Sequence, residues 1–318
     1  MEEKKKILVG GQAVIEGVMM RAPGSYATAV RRSNGEIEID RHEFSSVLER
    51  RKYLNVPVLR GIVSLFEMLK IGLDSLQWSA EISMEDLEPE NESGKPGKLA
   101  KAGTLLIALS LGLGIFFALP LVLTTKLFEI EREAMPFNIV SGLIRITLFL
   151  LYIMAISLMS DIKRLFMYHG AEHKMIFAFE AGCRLLPSEA QPFTRFHPRC
   201  GTSFLLIVML VSILVFGLID TIIINIFGSI NLLMRFVWHL PLIPFVAGLG
   251  YEAIKLSGKY GASGIGKILV SPGLWLQRLT TNEPDDAQLE VAAAALKSAL
   301  GDDYEEYVGE QFVADTVK

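Results

Sequence analysis

Residues 203–227 read SFLLIVMLVSILVFGLIDTIIINIF, with Asp220 the one charged side chain in the run. A helix needs about 20 apolar residues to cross the hydrocarbon core of a bilayer, so this stretch reads as a membrane span. Working outward, residues 102–123, 139–160 and roughly 236–256 meet the same requirement. Composition agrees: the 318 residues are 51% hydrophobic, with a mean hydropathy of +0.39, too apolar for an ordinary soluble enzyme. The expected fold class is a mainly α-helical integral membrane protein. It has about four transmembrane helices, a small N-terminal cytoplasmic β-rich unit and a C-terminal cytoplasmic helix.

Charge sets the expected orientation. Lys95, Lys98 and Lys101 precede the first span. Lys163, Arg164, Lys174, Arg184, Arg195 and Arg199 crowd the loop 161–202, and Lys255, Lys259, Lys267 and Arg278 follow the fourth span. The loop 124–138 carries only Lys126 and Arg132 among three glutamates. The positive-inside rule then puts both termini and the loop 161–202 on the cytoplasmic side of a bacterial inner membrane, crossed several times. The opening MEEKKKILVGG is too charged for a signal peptide. A net charge of −4 gives no electrostatic footprint for nucleic acid. Cys183 and Cys200 are too few for a disulfide framework, and in the cytoplasm they are reduced thiols.

Five regions follow. Residues 1–50 form the β-rich unit: YATAVRR and EIEIDRH alternate as strands around Asn34-Gly35, a two-residue hairpin signal. Gly10, Gly11 and Gly17 lack the G-K-[ST] or G-x-G-x-x-G of a phosphate loop. Beside Gly17, Glu16 and Arg21 are candidates for a polar site. Residues 51–83 read as an amphipathic helix, lying in the membrane interface or packing on a core. Residues 84–101, acidic and rich in Pro and Gly, form a flexible linker. Residues 102–256 form the four-span domain, and 257–318 a cytoplasmic tail whose helix over 284–300 starts at Pro and Asp and stops at Gly301. The tail GDDYEEYVGE reads as solvent-exposed. Arg145 and Asp220 are costly inside spans and are expected to face protein, each a candidate partner for the other. Pro241 and Pro244 mark the fourth span as kinked or broken, with His239 a packed or interfacial residue of its outer half.

The chemistry concentrates in residues 168–203, YHGAEHKMIFAFEAGCRLLPSEAQPFTRFHPRCGTS, which hold three of the five histidines and both cysteines. His169 and His173 lie four apart, so on a helix they share one face. That spacing suits two imidazole ligands of one Zn²⁺. Glu172 is placed to act as general base on a water held there. His197 and Cys200, three apart on a turn, add two soft donors. Glu180 and Glu252 are further candidates for the shell. The plain alternative is two polar histidines on a solvated helix face.

The pattern His169-Gly-Ala-Glu172-His173 resembles the H-x-x-E-H signature of the inverzincin metallopeptidases, which take a third ligand from a downstream glutamate. Those enzymes are large and soluble, so the likeness is local. Over nearly the whole chain, GGQAVIEGVMMRAP, YHGAEHK, FHPRCGTSF and EPDDAQLEVA resemble the YqhQ-like family of bacterial membrane proteins, a domain of unknown function sometimes labelled a predicted metal-dependent enzyme. The resemblance implies a multi-span inner-membrane protein with Glu16, Gly17, His169, Glu172, His173, His197, Cys200 and Glu252 at its motif positions. Two functional expectations follow. One is a cytoplasm-facing metal-dependent membrane hydrolase, a peptidase among the options. The other is a non-catalytic accessory or scaffold factor for membrane-protein biogenesis or complex assembly. Beyond the lipid bilayer, the expected partner is another membrane protein or a second copy of the chain.

Overall fold

The computed structural model describes residues 7–87, 97–260 and 264–312. Four strands come first: β1 (Gly10–Val14), β2 (Gly17–Ala22), β3 (Ser25–Arg31) and β4 (Ile37–Glu43), paired antiparallel in chain order. Then follow α1 (Val47–Arg50) and the long α2 (Leu59–Leu87). α3 (Lys98–Leu113) and α4 (Leu119–Phe128) are joined by a π-helical turn, Gly114–Ala118. The remaining helices are α5 (Ala134–Ile156), α6 (Ser160–Glu180), α7 (Pro187–Ala190), α8 (Gly201–Phe227), α9 (Leu232–Tyr260), α10 (Gly264–Thr280), α11 (Asp286–Leu300) and α12 (Tyr304–Tyr307).

Both faces of the sheet are buried. Side chains alternate along a strand, so Val18, Met20, Ala27 and Ala29 pack into a core with α6 and α11, while Met19 and Val30 pack with Ile71 and Ile82 of α2. The small side chains Ala292, Ala295 and Ala299 let α11 lie close against the strands, and Ser25 Oγ donates to the Ala299 carbonyl. On the other face Thr28 Oγ1 donates to Ser75 Oγ at 3.0 Å. The β3–β4 hairpin is present, but not as a two-residue turn: Arg31 pairs with Ile37, so five residues connect the strands. Gly35 takes the positive φ (89°), while Asn34 uses its side-chain oxygen to accept the Glu36 N–H at 2.9 Å. An Asx-type turn replaces the type I′ geometry.

Four helical stretches are long and apolar enough to cross a membrane: Ala102–Phe128, Ala134–Ile156, Gly201–Phe227 and Leu232–Leu256. Their outward leucines, such as Leu106, Leu143 and Leu214, are exposed, as side chains facing lipid are. The second span stops at Ile156, earlier than the hydrophobic run, because a turn separates α5 from α6. α9 runs through Pro241 and Pro244 as one helix. The linker 84–101 falls in part on 88–96, outside the described residues. α2 itself reaches Leu87, covering the sheet and packing on α9, where Gly248 lies against Val58 and Gly61 against Tyr251.

Arg145 and Asp220 do not pair. Pro120 has no N–H, so the Phe116 carbonyl four residues earlier loses its helical donor. Arg145 Nε supplies one at 2.9 Å, and its Nη1 donates to Ser212 Oγ at 2.8 Å. Asp220 instead meets Arg235 and His239 from α9.

α11 begins and ends where its sequence signals lie. Asp285 caps the Ala287 and Gln288 N–H groups, Gln288 returns the bond, and Gly301 ends the helix at φ 62°. The acidic tail is less free than its composition suggests: Tyr304 OH accepts the Leu185 N–H, and Phe312 stacks on Phe179 at 5.0 Å.

Candidate metal centre

α6 carries His169 and His173 on one face, and the chain between α6 and α8 folds back over that face. Cys200, at the N-terminal cap of α8, is thereby brought to the two rings. One donor atom from each of His169, His173 and Cys200 lies within 4.8 Å of the others. The imidazole centroids of His169 and His173 are 4.5 Å apart.

The backbone orients both rings. His169 Nδ1 lies 2.7 Å from the Thr280 carbonyl oxygen, and His173 Nδ1 lies 2.5 Å from that of Arg195. A carbonyl only accepts, so each Nδ1 carries the hydrogen and each Nε2 keeps its lone pair. His169 Nε2 is 3.2 Å from Cys200 Sγ. His173 Nε2 is buried and meets no hydrogen-bond partner. Histidines that bind metals through Nε2 are held in this way by a second acceptor on Nδ1. Two imidazoles and a thiol are donor types that a Zn²⁺-class ion takes, and His169, His173 and Cys200 would hold it. The sulfur also sits at the start of a long helix, where the backbone dipole favours negative charge.

The other expected residues are placed as follows. His197 is next door, its ring centroid 5.4 Å from that of His173, but both its nitrogens face Arg199. Burial holds its imidazole well below the usual histidine range, and the nearby Arg199 charge adds to that. Glu172 points toward β1, where the Gly11 backbone donates to its carboxylate. A Cβ on Gly11 would crowd Glu172 Cγ at 3.1 Å, so this close approach uses a glycine. Burial pushes the Glu172 carboxyl up to about 7, opposed by the Gly11 hydrogen bond. Glu180 is ion-paired with Arg199. Glu252 does not join the group: it pairs with Arg60 across the α2–α9 contact and accepts from the Val58 N–H at 3.2 Å. Glu16 pairs with Arg164 of α6 at 2.5 Å. Arg21 lies over Phe44 at 4.6 Å and donates to Met68 Sδ of α2. Glu16 and Arg21 thus serve different helices.

Residues absent from the expected set do much of the positioning. Gln277 of α10 clasps the His197 backbone, accepting its N–H and donating to its carbonyl, both at 2.7 Å. Lys174 is nearly fully buried, donates to the Gln191 carbonyl at 2.8 Å and is ion-paired with Glu283. Gly170 lets residues 282–284 lie on α6: a Cβ there would run into the Asn282 carbonyl. Gly170→Ala is therefore expected to cost about 1–3 kcal/mol by overpacking and to pull the Thr280 carbonyl from His169. Denaturation midpoints should show the loss, whereas Gly103→Ala, with open space around it, should be silent. Equal midpoints for the two variants would contradict this packing.

The family described as "Protein of unknown function (DUF1385)" matches residues 56–302. The chain is 34% identical over 305 residues to the uncharacterized protein YqhQ of Bacillus subtilis (strain 168), a match that covers 92% of each. No solved structure matches.

Proposed function

The chain belongs to the DUF1385 family, and from that premise we propose that it is a multi-pass membrane hydrolase with a zinc-class ion held by His169, His173 and Cys200. One observation carries this reading: both Nδ1 atoms are tied to backbone carbonyls, His169 Nε2 lies 3.2 Å from Cys200 Sγ, and one donor atom from each of the three residues lies within 4.8 Å of the others. A bound ion would supply Lewis acidity. Glu172, next to His173 in the H-x-x-E-H run, would do the proton work after turning from the Gly11 N–H toward the centre. Its carboxyl, raised by burial to about 7, suits a general base at neutral pH. It would take the proton of the attacking water and return it to the departing group. Peptide bonds are the substrate class favoured by the H-x-x-E-H pattern. The Lys and Arg distribution supports a cytoplasmic position for the centre and both termini, and the Bacillus relative supports a bacterial membrane.

Glu172→Gln is the test. It keeps the shape and removes the base, so hydrolysis of a peptide library should fall by about 10²–10⁴-fold, with bound metal unchanged. Metal lost together with activity would make Glu172 a structural or ligating residue and end its role as base.

A second reading has its own support. His173 is 1% exposed and Cys200 7%, which suits an ion that staples α6 to α8 as part of an accessory factor for membrane-protein assembly. Crosslinking that captures one dominant membrane partner, with partner binding unaffected by Glu172→Gln, would favour this reading over hydrolysis.

A further inference from the structure

A second buried polar group lies at the other end of the span bundle, and neither reading above uses it. Asp220 of α8, with Arg235 and His239 of α9, is fully buried. Asp220 Oδ2 accepts from Asn138 Nδ2 at 2.7 Å and from Arg235 Nε at 2.8 Å, while Oδ1 lies 2.7 Å from His239 Nε2. An ionised carboxylate only accepts, so His239 Nε2 carries the hydrogen. Its Nδ1 is left with a lone pair, buried and without a partner. Arg235 is pinned: Nη2 donates to the Glu131 carbonyl at 2.7 Å, and the guanidinium lies 3.4 Å over the Phe137 ring. Its Nη1 is likewise buried and unpartnered. Phe216 lies flat on the His239 ring, centroids 4.2 Å apart, and the Arg145 guanidinium sits 5.9 Å from the Phe216 centroid.

The charged groups around His239 are therefore Asp220 from α8, Arg235 from its own helix and Arg145 from α5 beyond the Phe216 ring. Arg145 is occupied by Phe116 and Ser212. Asp220 lies about 30 Å along α8 from Cys200, at 1.5 Å per residue. The group is thus close to the turns 129–133 and 228–231, at the membrane face opposite the histidine–cysteine centre. Ionisable side chains at this depth are expensive and mark proton or ion pathways.

We propose that Asp220 and His239 form a proton-binding site in the span bundle, loaded from the face opposite His169, His173 and Cys200. A proton from hydronium adds to the Nδ1 lone pair and releases water, and no bond in the protein breaks. The imidazolium is balanced through Nε2–H by Asp220. Both Asp220 oxygens already accept, from Asn138, Arg235 and His239, while His239 Nδ1 is open, so the histidine and not the aspartate takes the proton. The new Nδ1–H has no acceptor in the present packing, so uptake requires α9 to shift. Pro241 and Pro244, just after His239, leave the Val237 and Leu240 carbonyls without their helical donors, which makes this the weakest part of the helix. Proton uptake and bending of α9 are thereby coupled.

The test uses the full chain in lipid nanodiscs with ¹⁵N-labelled histidine. His239, assigned by its loss in His239→Gln, should show Nε2–H and a bare Nδ1 at high pH and gain Nδ1–H on acidification. Asp220→Asn should require at least a tenfold higher proton concentration for the same step. With Trp78 and Trp275 replaced by phenylalanine, Trp238 fluorescence should follow that step and become pH-independent in His239→Gln. The glutamine keeps a donor to Asp220, so this arm decides the matter even where Asp220→Asn fails to fold. An Nδ1–H tautomer at neutral pH, a His239 neutral throughout the range over which the chain stays folded, or a Trp238 response unchanged by His239→Gln would each overturn the proposal.

Discussion

Purified without chelator, the wild-type chain is expected to carry about one zinc-class ion, and the His169→Ala/His173→Ala variant none above background. The double substitution removes both nitrogen donors and leaves Cys200 alone. It also frees the Thr280 and Arg195 carbonyls that hold the rings. Folding and loading are coupled at such centres, so chelation should lower the unfolding temperature of the wild type and leave the double variant where it was. Cys200→Ser should weaken loading as well, since an alcohol is a poor substitute for a thiolate. Substitution of His197 should disturb loading less, because its nitrogens face Arg199. Elemental analysis beside thermal unfolding reads all four cases. A wild type that is metal-free and indifferent to added Zn²⁺ would remove the basis of both functional readings of this centre.

Arg235→Leu is expected to destabilise the span bundle by about 3–5 kcal/mol, the usual cost of stranding one partner of a buried ion pair. Asp220 would keep Asn138 and His239 but lose the only cation in direct contact with it among the described residues. The Phe137 ring would also lose its stacked guanidinium. Most of the cost belongs to the isolated carboxylate rather than to the lost bond. The double variant Asp220→Leu/Arg235→Leu should therefore be less damaged than Arg235→Leu alone, as replacement of both charges by apolar groups is often close to neutral. Unfolding in mild detergent measures the cycle. A loss below about 1 kcal/mol in Arg235→Leu, the scale of an exposed pair, would mean that water reaches Asp220 and that the pair is not buried.

The spans, the sheet and α11 were legible because their causes are local. A run of apolar residues long enough to cross a bilayer, the Gly35 turn, and the Asp285, Gln288 and Gly301 boundaries each act within a few neighbouring residues. The shared face of His169 and His173 was legible for the same reason: a spacing of four residues sets it once α6 is a helix. The four-span, mainly helical class and the membership of a YqhQ-like family followed from the same kind of signal.

Partnerships between distant segments were decided by packing. Arg145 and Asp220 are natural mates by charge, yet Arg145 answers a carbonyl freed by Pro120 on another helix, and Asp220 is met by the two side chains that α9 turns toward it. Glu252 is drawn to Arg60, 192 residues away in the chain. Cys200 rather than His197 completes the histidine group because the fold starts α8 beside His169, while the adjacent His197 ring turns both nitrogens to Arg199. The carbonyls of Arg195 and Thr280 leave no trace in the sequence, since every residue has one. By itself the sequence determined which side chains are chemically capable and which neighbours share a helix face. The tertiary structure alone decided which of them meet, because a contact across many residues depends on how whole elements pack and not on spacing along the chain.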